Sequence, residues 1–171
     1  MNYDKALSAG DIYKLMNNKV NIVSYKDIHK FNNINELLEP YGKCILLYHT
    51  KKNYGHWVCL YNNDQKTDIF FFDSYGFKPD TQLKYIHNSL KKELNHDYNY
   101  LIKLLYDSNK KIFFNEYKLQ NVGKNIKTCG LWVVLRLKYK DISIKNFNKI
   151  MNSTKYKPDE LILKLFNENK L

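Results

Sequence analysis

Four short stretches of this chain hold side chains that together could carry thiol-based acyl transfer: Gly55-His56-Trp57, Phe72-Asp73-Ser74-Tyr75-Gly76-Phe77, Leu119-Gln120-Asn121 and Thr128-Cys129-Gly130-Leu131. Taken singly, each has a plainer reading. A histidine opening a strand is most often structural, and an aspartate before Ser-Tyr-Gly is usually a turn former whose carboxylate accepts local N–H groups. A loop glutamine is mostly just polar, and a cysteine at a helix start is more often buried and inert. Taken together they supply every part of the reaction. The nucleophile must be a thiolate, a form favoured by the unpaired N–H groups and positive dipole end of a helix N-terminus. Cys129 would be the first residue of such a helix. His56 would take the thiol proton and return it to the leaving amine. Asp73 would hold the far ring nitrogen and fix the tautomer. The Gln120 amide and the Cys129 backbone N–H would receive the oxyanion, and Gly130 would let a substrate backbone come close.

These groups lie far apart along the chain, so the elements around them must gather them. Cys44–His49, His56–Tyr61 and Asp68–Asp73 read as short strands, and the polar loops between them suit antiparallel hairpins. His56 would then head one strand and Asp73 end the next, at the same sheet edge. The unbroken apolar run Ile69–Phe72 suits a central strand covered on both faces. Lys111–Leu119 alternates as a fourth strand would. Cys129–Tyr139 is too apolar for a surface helix and must lie in the core. Ser8-Ala-Gly-Asp11 resembles a capping box, which predicts a helix from about Ala9 to Asn17. Further helical pieces are expected at Ile34–Leu38, Thr81–Leu94 and Asn99–Tyr106, after Ser143 through Met151, and from Pro158 onward. The sum is one α+β domain over residues 1–171, a small mixed and largely antiparallel sheet flanked by helices.

Composition narrows the function classes. The longest apolar runs are five residues, whereas a membrane span needs about twenty. No apolar stretch follows the N-terminal Met-Asn-Tyr-Asp-Lys, so a cleavable secretory leader is not expected. The three cysteines, Cys44, Cys59 and Cys129, form no C-x-x-C pair and are odd in number. That disfavours a structural metal site and a complete disulfide framework, and favours free thiols. Lys and Arg total 28 against 17 Asp and Glu, a net charge of +11, which attracts polyanions. Yet Arg136 is the only arginine and no basic block exceeds two residues, so nonspecific DNA contact fits better than sequence reading.

The order His-Trp, then strand-Asp-Ser-Tyr-Gly-Phe, then Gln, then Cys-Gly-Leu resembles the adenain-type cysteine peptidases, the virion-maturation proteases of adenoviruses and virophages, which share a fold core with the Ulp1-type SUMO-specific proteases. The resemblance spans roughly Cys44 to Leu137. It implies an α+β fold with the nucleophile on a central helix, His56 as base, Asp73 as acid, Gln120 in the oxyanion hole and Cys129 as nucleophile. Trp57 matches the aromatic that follows the base, and a narrow groove over it would admit only small residues. Gln120 stands nine residues before Cys129, further than is usual in this family, which leaves Asn121 or Asn125 as alternative donors. The implied function is a viral endopeptidase that cleaves capsid or core precursor proteins at Gly-containing sites, in the virion and in the cytoplasm or virus factory of the infected cell. No cofactor is required for the chemistry, and the charge is compatible with stimulation by DNA or a viral peptide. A ubiquitin-like-protein isopeptidase would use the same groups, and a noncatalytic basic DNA-binding packaging protein is the alternative from another class.

Overall fold

The computed structural model describes residues 4–51, 54–123 and 125–171. Helix α1 (Ala9–Leu15) begins as its sequence predicts. The Ser8 hydroxyl accepts from the Asp11 N–H, and the Asp11 carboxylate accepts from the Ser8 N–H, so two orphan donors are satisfied reciprocally. Five strands form one sheet in chain order: β1 (Asn21–Ser24), β2 (Lys43–Lys51), β3 (Tyr54–Asn62), β4 (Asp68–Phe72) and β5 (Lys111–Phe114). Strands β2, β3 and β4 pair antiparallel, as their short connections require. The two edge strands pair parallel to their neighbours. A parallel pair needs a crossover connection. One crossover holds a 3₁₀ segment, Tyr25–Lys30, and α2 (Ile34–Leu38). The other holds a second 3₁₀ segment, Thr81–Tyr85, with α3 (Asn88–Glu93) and α4 (Tyr100–Asp107).

Two expectations from the sequence need correction, and one strand adds to them. Strand β1, Asn-Ile-Val-Ser, is half-buried at every position and shows no alternation. The helix expected over Thr81–Leu94 breaks at Ile86 and His87, both extended (ψ 131° and 139°), and the His87 ring accepts from the Ser89 N–H to start α3 afresh. The strand expected over Lys111–Leu119 ends at Phe114. Beyond it the buried Asn115 amide donates to the Asp73 and Tyr117 carbonyls, each at 2.9 Å.

Alternate residues of the central strands face two separate cores. Ile45, Trp57, Cys59, Tyr61 and Phe72 pack beneath α1, α5 (Cys129–Lys138), α6 (Ile144–Asn152) and α7 (Pro158–Asn167). Cys44, Leu46, Val58, Leu60, Ile69 and Phe71 pack against the crossover helices. The continuous apolar run of β4 is explained by this double coverage. Helix α5 is buried along nearly its whole length, as its composition requires. Arg136 on this helix is internal. Its guanidinium donates to the Tyr61 hydroxyl and to the Lys140 and Ile142 carbonyls, between the Tyr61 and Phe147 rings. The chain's sole arginine is therefore a packing residue and not a surface reader of nucleic acid.

Candidate active site

Strand β3 opens with Tyr54, Gly55 and His56, two residues earlier than the sequence suggests. No side chain fits at Gly55, where a Cβ would lie 2.2 Å from the Tyr48 carbonyl oxygen of the paired strand. This close approach lies one residue beyond the Tyr48–His56 pair, near the end of the β2–β3 ladder. Strand β4 ends at Phe72, paired with Cys59, so Asp73 leaves the ladder beside the start of β3. Asp73 then enters a tight turn, with Gly76 N–H donating to its carbonyl at 2.9 Å and Gly76 at φ +75°, a conformation glycine adopts without penalty.

The two side chains meet. His56 Nε2 lies 2.7 Å from Asp73 Oδ1, with both groups buried. A carboxylate oxygen can only accept, so Nε2 carries the proton. Asp73 Oδ1 also accepts from the Tyr75 N–H at 2.8 Å, which fixes the carboxylate independently of the histidine. The Tyr75 ring stacks on the imidazole, with centroids 4.2 Å apart and planes 11° from parallel. His56 Nδ1 is buried and without a hydrogen-bond partner. With Nε2 taken by Asp73, Nδ1 is the ring atom left for the sulfur of Cys129, which lines the same small cavity. Burial alone would hold His56 in its neutral form. The Asp73 charge and hydrogen bond, and after them the Cys129 sulfur, outweigh it and raise the imidazole from 6.5 to about 10.

Cys129 is the first residue of α5 and is 8 % exposed; all three cysteines are free. Thr128 precedes it without giving its own helix a side-chain cap, although threonine commonly caps the second or third N–H. Its hydroxyl donates to Asp159 Oδ1 at 2.8 Å.

Gln120 lies on the other side. Its backbone N–H and that of Leu119 donate to the Ser74 carbonyl at 2.9 Å, and its side-chain oxygen accepts from the Ser74 hydroxyl at 2.7 Å. That contact orients the amide. Nε2 lies 3.4 Å from the Tyr75 hydroxyl and 3.3 Å from the Ile126 carbonyl, and Gln120, His56, Tyr75 and Cys129 line one small cavity of about 80 Å³. This volume holds two or three waters, or the oxygen of a bound carbonyl. Of the alternative donors, Asn121 is turned away to Asp159 and Asn125 is exposed. A wider cleft of about 550 Å³ also reaches Cys129, past Leu7, Leu47, His49, Tyr54, Trp57 and Lys127.

Trp57 lines that cleft as expected, and its indole N–H donates to the Leu7 carbonyl at 3.1 Å. The space over Gly130, expected to receive a substrate backbone, is taken by Leu7. A Cβ there would lie 3.0 Å from Leu7 Cβ, so the close approach its small size permits is made by the chain's own N-terminal segment. Tyr75 and Asp159 were not among the residues singled out in the sequence. Tyr75 sits inside the Asp-Ser-Tyr-Gly motif, and an aromatic two residues after the acid was the signal available. Among the described residues, no group of three His, Cys, Asp or Glu side chains could hold a metal ion.

The chain and its fold have counterparts among known proteins. The chain is 43% identical over 165 residues to protein V9 of Sputnik virophage, covering 94% of each chain. No protein-family model matches it. Among solved structures it is similar to the ASFV pS273R protease, with TM-score 0.52 at 14% identity over 96% of this chain and 67% of that one. It is also similar to ChlaDub1 of Chlamydia trachomatis, with TM-score 0.51 at 14% identity over 98% and 91% of the two chains. At these identities the likeness shows a shared fold: a mixed sheet flanked by helices, as in those proteins.

Proposed function

The chain belongs to the family of protein V9 of Sputnik virophage, and from the geometry of its site we propose that it is an adenain-type cysteine endopeptidase that cleaves capsid or core precursor proteins during particle assembly. The observation that carries this reading is the buried pair His56–Asp73 at 2.7 Å, with Cys129 at the start of α5 lining the same small cavity as the imidazole. A buried imidazole whose basicity is raised by a carboxylate partner, set in a cleft beside a cysteine, is the arrangement that acid–base chemistry requires.

The proposed reaction runs on the chain's own side chains. The Cys129 proton passes to His56 Nδ1, and the sulfur attacks the carbonyl carbon of the scissile amide. The resulting oxyanion accepts from Gln120 Nε2 and the Cys129 N–H, donors held in place before the charge forms. The C–N bond then breaks as Nδ1–H protonates the leaving amine, and a thioester remains. A water gives its proton to Nδ1 and attacks the thioester; the C–S bond breaks as Nδ1–H returns the proton to the sulfur, and the acid product leaves and ionises in solvent. Asp73 holds Nε2–H throughout, so that Nδ1 is always the atom that exchanges protons.

Small residues at the scissile bond suit a cleft walled by Trp57, Leu7 and Tyr54. The virus factory and the assembling particle are the proposed sites of action. DNA is the proposed stimulus, drawn by the net charge of +11. The test is incubation of the virus's own capsid and core precursors with the protein and with Cys129→Ala, with and without DNA at low salt. Discrete cleavage by the native protein alone is expected. Stimulation by DNA should fade steeply as salt rises. Labelling of Cys129 by SUMO or ubiquitin carrying a C-terminal electrophile, with the precursors left intact, would instead identify a modifier-directed isopeptidase.

A further inference from the structure

The loop between Asn121 and Thr128 joins the oxyanion side chain to the nucleophile, and a single buried carboxylate ties its two ends. Asp159, the second residue of α7, is 2 % exposed. Its Oδ1 accepts from the Thr128 hydroxyl at 2.8 Å. Its Oδ2 accepts from the Asn121 N–H at 2.9 Å and from the Asn121 amide at 3.2 Å. Asn121 follows Gln120 and Thr128 precedes Cys129, so each carboxylate oxygen grips the residue next to one oxyanion donor.

We propose that Asp159 is a positioning residue, acting through Asn121 and Thr128 to set the distance between the Gln120 amide and the Cys129 N–H. This rests on the peptidase reading given above. Two observations support it independently. The spacing of nine residues between Gln120 and Cys129 leaves the donors' separation unspecified by the chain itself, while Val122, Gly123 and Asn125 between the tied ends are exposed. These residues turn outward, while Ile126 stays at the Gln120 amide. Thr128 also gives its hydroxyl to Asp159 rather than to its own helix, which leaves the first-turn N–H groups of α5 free of a side-chain cap.

Oxyanion donors act only when aimed at the tetrahedral oxygen, whereas alkylation of a thiolate by iodoacetamide forms no oxyanion. The two reactions therefore separate this role from a general structural one. Asp159→Asn keeps an acceptor for Thr128 but opposes its NH₂ to the two Asn121 donors. With a fluorogenic peptidyl-Gly-Gly-aminocoumarin amide, Asp159→Asn and Thr128→Val should each lower kcat about 10²-fold. KM should change little, and the rate of Cys129 alkylation should stay within about threefold of native. Thr128→Ser, which keeps the hydroxyl, should recover the activity that Thr128→Val loses. Native kcat in both variants overturns the proposal, as does a fall in alkylation parallel to the fall in kcat. If Asp159→Asn does not fold, Thr128→Val alone decides. Failure of the native protein to alkylate at Cys129 ahead of Cys44 and Cys59 is the separate result that would remove the peptidase reading beneath it.

Discussion

Cys129→Ser is expected to fold as the native chain does and to lose turnover by a factor on the order of 10⁴–10⁶, the loss seen when a nucleophile is removed from a working triad. The substitution changes one atom at the start of α5. Most of that helix's burial comes from Leu131, Trp132, Val133 and Val134, all fully buried, and none of them is touched. A hydroxyl is far harder to ionise than a thiol, and His56 alone cannot make up that difference without a geometry evolved for oxygen. The checks are a thermal melt beside a rate measurement. A large fall in melting temperature with residual activity in proportion to the folded fraction would mean that the sulfur serves packing and not chemistry.

The second large effect belongs to Asp73. Asp73→Asn should lower kcat by about 10⁴-fold, because the amide can present NH₂ to Nε2 and so leave the proton on Nδ1, the wrong tautomer for accepting one from sulfur. The pH dependence has a definite sign. The His56 pKa is raised in the folded protein from 6.5 to about 10; burial opposes this rise, and the Asp73 charge is the foremost influence that produces it. A group whose pKa is higher folded than unfolded contributes stability that is complete below the unfolded value and is lost as pH rises through the folded one. The native protein should therefore lose melting temperature relative to Asp73→Asn between about pH 6.5 and about pH 10. Paired melts across that window check it. A difference between the two proteins that stays constant with pH would show that the carboxylate does not govern the imidazole.

Much of this site could be read before any coordinates. Asp73 and Cys129 stand at element boundaries and His56 near one, and boundaries beside strong strands and a strongly apolar helix are visible in sequence. The Ser8–Asp11 box and the helix at Ile34–Leu38 were legible for the same reason, since local spacing alone determines them. What was not legible depends on contacts across the fold. Gly130 carries no sign of Leu7 in its own neighbourhood. Asp159 reads as an ordinary first-turn acid after Pro158, a residue type that any helix N-terminus favours. Its bonds to Asn121 and Thr128 exist only once α7 packs beside α5. Strand β1 likewise owes its existence to the neighbouring β2 edge rather than to a pattern within its four residues.

Limiting iodoacetamide followed by mass spectrometry, on the native protein and on His56→Ala, tests the central claim most directly. Cys44 and Cys59 are fully buried, and burial raises both thiols well above their usual range, so they serve as internal controls. Preferential modification of Cys129 in the native protein, lost in His56→Ala, is the predicted result. Modification of Cys129 at the same rate in both proteins, or no preference for it over the other two cysteines, would contradict an activated sulfur–imidazole pair.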